Sequence, residues 1–117
     1  MTKNYSALHE SMQTRTLANG LRICYLPKEG FSKTFAILAT DFGSVDASFT
    51  FEGKRYDTPA GVAHFLEHKM FDTKEGNALQ DLAANGASPN AFTSASLTGY
   101  HVSCTDGFWD NLRVLLS

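Results

Sequence analysis

The 117 residues predict an α+β fold, a mixed or antiparallel sheet accompanied by helices, with the chain stopping before its last helix is complete. Three observations carry this reading. Strand-like runs at 13–17 and 21–26 meet at Asn19-Gly20, the dipeptide that best tolerates the positive φ angles of a tight hairpin. Thr58-Pro59 opens a helical stretch, because a hydroxyl can cap free amides and proline at the first helical position loses no intrahelical bond. Two more strand-like runs, at 90–94 and 97–104, then lead into a last apolar helical pattern.

The elements follow in order. Residues 1–12 are polar and aperiodic and are expected as a lead-in, while 13–117 are expected as the N-terminal part of one domain whose C-terminal part is absent. After the first hairpin, residues 33–42 are rich in apolar side chains and closed by Gly43-Ser44, as a central strand would be. Residues 49–51 and 54–56 flank Glu52-Gly53 as an exposed hairpin. A helix is expected from Pro59 to about Phe71, and a second from about Asn77 to Asn85-Gly86. Thr105 or Asp106 would cap a third helix beginning near Phe108, with Trp109, Leu112 and Leu116 as a core stripe. Phe35, Phe42, Phe65, Phe71 and Phe108 are read as core as well.

Composition narrows the function classes. Ten Lys and Arg against twelve Asp and Glu give a formal charge of −2, which supplies no field for gathering nucleic acid. No apolar run approaches the ~18 residues of a spanning helix, and the polar start lacks the regions of a signal peptide. A cytoplasmic chain without a membrane partner is the expectation. Cys24 and Cys104, eighty positions apart in apolar runs, are read as reduced core residues. Gly43-Ser44 lacks the flanking glycines of a nucleophile elbow, and no glycine-rich phosphate loop precedes a helix.

The chemistry concentrates in the first helix, at His64-Phe65-Leu66-Glu67-His68. At 100° per residue His68 lies about 40° from His64 and Glu67 about 60° to the other side, so all three share one face. Two imidazoles one turn apart can bind one Zn²⁺ and leave room for a water. Glu67 then stands beside the metal, where a carboxylate can accept a proton from the activated water and pass it to a departing amine. Peptide hydrolysis is the reaction this arrangement suits.

The segment Gly61-Val62-Ala63-His64-Phe65-Leu66-Glu67-His68-Lys69-Met70-Phe71, followed by Asn90-Ala91-Phe92-Thr93, Thr98 and Tyr100, resembles the insulinase-like (pitrilysin, M16-type) zinc metallopeptidases, whose signature is this inverted zinc motif. The resemblance runs over about residues 13–117, in the family's order. It implies a sheet with helices on one face, His64 and His68 as zinc ligands, Glu67 as general base, and an acidic third ligand beyond residue 117. Asp72 and Glu75 sit near the helix exit rather than on the zinc face and His101 reads as a strand histidine, so none of them is assigned a metal role. Asp72-Thr73 and Ser96 depart from the family's usual residues, which bears on subfamily and cleavage preference rather than on the zinc chemistry.

For Asn90, Ala91 and Phe92 the residues alone leave two readings: an ordinary hairpin strand with Phe92 in the core and Asn90 in a turn after Ser88-Pro89, or an exposed edge that takes an extended peptide by main-chain hydrogen bonds. The resemblance favours the second, with Asn90 able to bond a peptide carbonyl. Its implied function is a zinc-dependent endopeptidase acting on peptides or small unfolded proteins. The alternative is a non-catalytic substrate-binding or assembly subunit of the same fold. A homologous peptidase-like subunit, or self-association, is the implied protein partner, and the 117 residues alone are expected to be inactive for want of the third ligand.

Overall fold

The computed structural model describes residues 1–73 and 76–117. They divide into two compact units, residues 1–32 and 33–117. The first is a three-stranded antiparallel sheet of β1 (Thr2–Tyr5), β2 (Glu10–Thr16) and β3 (Arg22–Tyr25), in that order, with a short 3₁₀ turn at Ser6–Leu8. The expected hairpin is present. Gly20 takes φ +87°, and the Asn19 side-chain oxygen accepts the Leu21 N–H at 3.1 Å, so both residues of the turn serve its geometry. Residues 1–12, expected to be aperiodic, hold β1, which pairs Thr2–Tyr5 with Glu10–Gln13. Backbone pairing orders this polar stretch without any apolar periodicity. Cys24 is exposed rather than in the core, since this unit buries no side chain deeply; both cysteines are free.

The second unit is built on the antiparallel sheet β4 (Thr34–Thr40), β10 (Thr98–Cys104), β9 (Ser88–Thr93), in that order. The 33–42 strand is thus an edge, and the centre belongs to β10, which is the most buried strand of the sheet. Alternation along β10 sorts its side chains: Thr98, Tyr100, Val102 and Cys104 share one face, Gly99, His101 and Ser103 the other. Helices α1 (Val62–Phe71), α2 (Ala78–Ala84) and α3 (Phe108–Leu116) all contact this sheet. Val102 and Cys104 meet Leu82 and Ala87 in the core, with Ala36, Phe108, Val114 and Leu115 packed around them. The helices therefore cover the Tyr100–Val102 face. The other face carries exposed Phe35 and Ile37 beside His101.

Between β4 and α1 lies the hairpin β5 (Ser48–Phe51) and β6 (Lys54–Asp57), as expected, with Phe49 stacked on Tyr56 across the pair at 5.6 Å. Two-residue strands β7 (Asp72–Thr73) and β8 (Gly76–Asn77) join α1 to α2. No helix among the described residues is long and apolar enough to cross a membrane.

The helix boundaries differ from the sequence reading for identifiable reasons. Thr58 does not cap α1, because its amide and hydroxyl both donate to the Ala47 carbonyl, at 2.7 and 2.9 Å, and close the base of the β5–β6 hairpin. Helix α1 instead starts at Val62 behind Gly61, whose φ of +89° is a left-handed entry that a side chain would strain. Helix α2 begins as expected, with the Asn77 side chain accepting the Leu79 N–H at 2.9 Å. Gly107, not Thr105 or Asp106, occupies the N-cap of α3.

The core stripe of α3 is also rotated from the expected one. Asn111 is buried and Phe108, Val114 and Leu115 pack inward, which leaves Trp109 74% exposed and Leu116 outward. Among the phenylalanines read as core, Phe71 is buried and Phe42 and Phe108 are half-buried, but Phe35 and Phe65 are exposed.

Candidate metal and active centre

Helix α1 places its chemistry by spacing. Ala63, Glu67 and Phe71, four residues apart, form the buried stripe against the sheet, and His64 and His68 form the next stripe, which is exposed. The two imidazoles lie nearly parallel, 16° between planes and 4.9 Å between centroids, and their Nε2 atoms are 2.9 Å apart. Two Zn–N bonds of about 2.05 Å at a tetrahedral angle place the nitrogens about 3.3 Å apart, a few tenths wider than seen here. Small rotations of two exposed rings supply that difference. The pair therefore fits two positions of a zinc site.

Glu67 is turned toward β9 and is 9% exposed, so the single face expected for His64, Glu67 and His68 is divided: the two imidazoles are exposed and the carboxylate is buried beside them against the sheet. Its Oε2 accepts a hydrogen bond from the Thr93 hydroxyl of β9 at 2.5 Å, so the carboxylate is not buried without a partner. Tyr100, on the same face of β10 and edge-on to Phe71, feels this carboxylate. Burial, and secondarily the negative charge of Glu67, hold its phenol above the ordinary value of 10.0.

Among the described residues no group of three or more His, Cys, Asp or Glu is gathered to hold a metal. Asp72 sits at the exit of α1, 3.7 Å from Lys69 and in reach of the Asn77 side chain. Glu75 lies outside the described residues. His101 projects from the sheet face opposite α1, against Phe35 and Phe92.

The residues proposed for substrate are divided by the alternation of β9. Ala91 lies directly opposite Tyr100 and shares the face of α1, whereas Asn90 and Phe92 lie opposite His101 and Gly99 on the other face. Phe92 is 41% exposed rather than in the core. The Asn90 side-chain oxygen accepts the neighbouring Ala91 N–H at 2.8 Å. β9 is an edge of the sheet as described. Thr93 is the partner that sequence reasoning passed over. The signal was present, since a period of two from Ala91 puts Thr93 on the face of α1.

The model of the family described as insulinase (peptidase family M16) matches residues 49–112, a stretch that holds all of α1, β9 and β10. The chain belongs to peptidase family M16. It is 43% identical over 114 residues to the uncharacterized zinc protease YmfH of Bacillus subtilis, covering 96% of this chain and 27% of that protein. It is 36% identical over 94 residues to ubiquinol-cytochrome-c reductase complex core protein I of Euglena gracilis, covering 75% of this chain and 17% of that protein. Among solved structures, a putative M16-like peptidase from Alicyclobacillus acidocaldarius superposes with a TM-score of 0.85 at 38% identity, over 92% of this chain and 25% of that one. The chain thus spans about a quarter or less of the length of these relatives.

Proposed function

We propose that this M16 chain carries two zinc ligands and the general base of a zinc-dependent endopeptidase that hydrolyses peptides or small unfolded proteins. The observation that carries it is the convergence of the His64 and His68 Nε2 atoms to 2.9 Å, with Glu67 one residue away on the sheet side of the same helix. Zn²⁺ bound there would lower the pKa of a water to about 7 and polarise the scissile carbonyl. His64 and His68 would hold the metal through their ring nitrogens, one turn apart on α1. Glu67 takes the proton of the attacking water and returns it to the departing amine. The outer edge of β9 holds the substrate as an added strand near Asn90, Ala91 and Phe92, which makes recognition depend on backbone more than on side chains. A further acidic side chain, outside the described residues, would complete the metal's protein ligands.

A second reading, a non-catalytic substrate-binding or assembly subunit of the same fold, is favoured by the likeness to a ubiquinol-cytochrome-c reductase complex core protein. Metal content separates the two. The full-length protein should bind one zinc per chain and the His64→Ala/His68→Ala double variant none. Zinc retained at one per chain in the double variant, or none bound by the parent, would overturn the catalytic reading.

A further inference from the structure

We propose that Thr93 is a positioning residue for the general base: its hydroxyl fixes the Glu67 carboxylate by Oε2 and leaves the other oxygen to exchange protons with water. The inference rests on the reading of Glu67 as base and deepens it. Glu67 is the only carboxylate among the buried residues of this chain that are described, and its ordered partner is one hydroxyl on a neighbouring strand, 26 residues away. A threonine suits the task because its branched side chain is stiff about χ1, so the direction of the hydroxyl is set by the strand. Thr98, directly opposite Thr93 on β10 and on the same face, donates its own hydroxyl proton to the Phe42 carbonyl at 2.8 Å. The two threonines of this pair therefore serve different acceptors, and the one nearer α1 serves the base.

The hydroxyl supplies one donor and engages one of the roughly four lone-pair positions of an ionised carboxylate. The second oxygen stays available for the proton of the attacking water. Without the hydroxyl, Glu67 would keep its place on the helix but lose its fixed rotamer. The loss would fall on turnover rather than on substrate or metal binding, because a misplaced catalytic group slows the chemical step.

The test uses the full-length protein with Thr93→Val, Thr93→Ser and Glu67→Gln in parallel. Thr93→Val removes the hydroxyl at nearly constant volume and should lower kcat about 10- to 100-fold with KM within about two-fold and zinc content unchanged. Thr93→Ser should restore kcat to within about three-fold of the parent. In crystal structures of the metal-free proteins, the Glu67 carboxylate should lie at residue 93 in the parent and the serine variant and be displaced in the valine variant. A Thr93→Val enzyme with parental kcat beside an inactive Glu67→Gln overturns this assignment alone. So does a loss of kcat that serine fails to restore, that comes with lost zinc, or that leaves Glu67 unmoved. A fully active Glu67→Gln overturns the reading of Glu67 as base, and this assignment with it.

Discussion

Gly43→Ala should be the most damaging glycine substitution in the 33–117 unit, and its effect should reach the active centre. A Cβ at this position would stand 2.4 Å from the Ala95 carbonyl oxygen and 2.6 Å from the Ser96 amide nitrogen, where real contacts do not fall below 3.0 Å. The deficit of 0.6 Å is against backbone, which cannot rotate aside as a side-chain tip can. Something larger must move. Ser44 and Val45 donate to the Ser94 and Ala95 carbonyls at 2.9 and 3.0 Å, and these bonds clamp the tip of the β9–β10 hairpin to the loop after β4. Parting the two segments forfeits both bonds, at about 1 kcal/mol each. Keeping them stores strain of about 1–3 kcal/mol as in other overpacked sites. Either route predicts a loss near 2 kcal/mol, read as a fall of about 1 M in the urea midpoint at a typical slope of about 2 kcal/mol per M. Gly53→Ala is the comparison, since nothing lies within 4 Å of its Cβ and only its φ of +76° opposes the substitution, at about 1 kcal/mol. Thr93 immediately precedes the clamped Ser94, so turnover by the full-length protein should fall in Gly43→Ala and not in Gly53→Ala. Equal urea midpoints for the two variants would refute the reasoning.

Two further outcomes follow from the same geometry. Ala91→Pro removes a β9 amide whose N–H the Asn90 side-chain oxygen accepts and that an added strand would have to take over, so a folded variant should bind several unrelated peptides more weakly, and unchanged binding of all of them would argue against strand addition. The Tyr100 phenol is held above 10.0 by burial first and Glu67 second, so its contribution to stability is complete below pH 10.0 and is lost as pH rises through the higher folded value. An NMR titration should place Tyr100 above 10.0 and Glu67→Gln should bring it down only in part; a midpoint at or below 10.0 in the parent would contradict this.

The approach of His64 to His68 was legible because four-residue spacing on a helix brings their rings together, whereas the expected common face with Glu67 was not met, because the fold buries that carboxylate against β9. The hairpins at Asn19-Gly20 and Glu52-Gly53 were legible because the turn residues specify the backbone locally. What escaped depends on long-range partners. Thr58 looks like an N-cap until Ala47, eleven residues earlier, claims its hydroxyl. Trp109 and Leu116 match a helical apolar stripe, yet β10 and α2 select the stripe of Phe108 and Val114, and a stripe of either phase satisfies the same period. The 33–42 strand is apolar enough for a centre, but placement in a sheet is decided by pairing, and β10 pairs on both sides. Thr93 belongs to this group: alternation gives its face, while only the fold brings that face to Glu67.

The most direct test of the account is Glu67→Gln in the full-length protein, assayed for peptide turnover and zinc together. The amide keeps the size of the side chain and an oxygen to accept the Thr93 hydroxyl, but it cannot take a proton from water. The account predicts one zinc per chain, as in the parent, and turnover reduced by at least about 100-fold. Cleavage at the parental rate with zinc in place would contradict it.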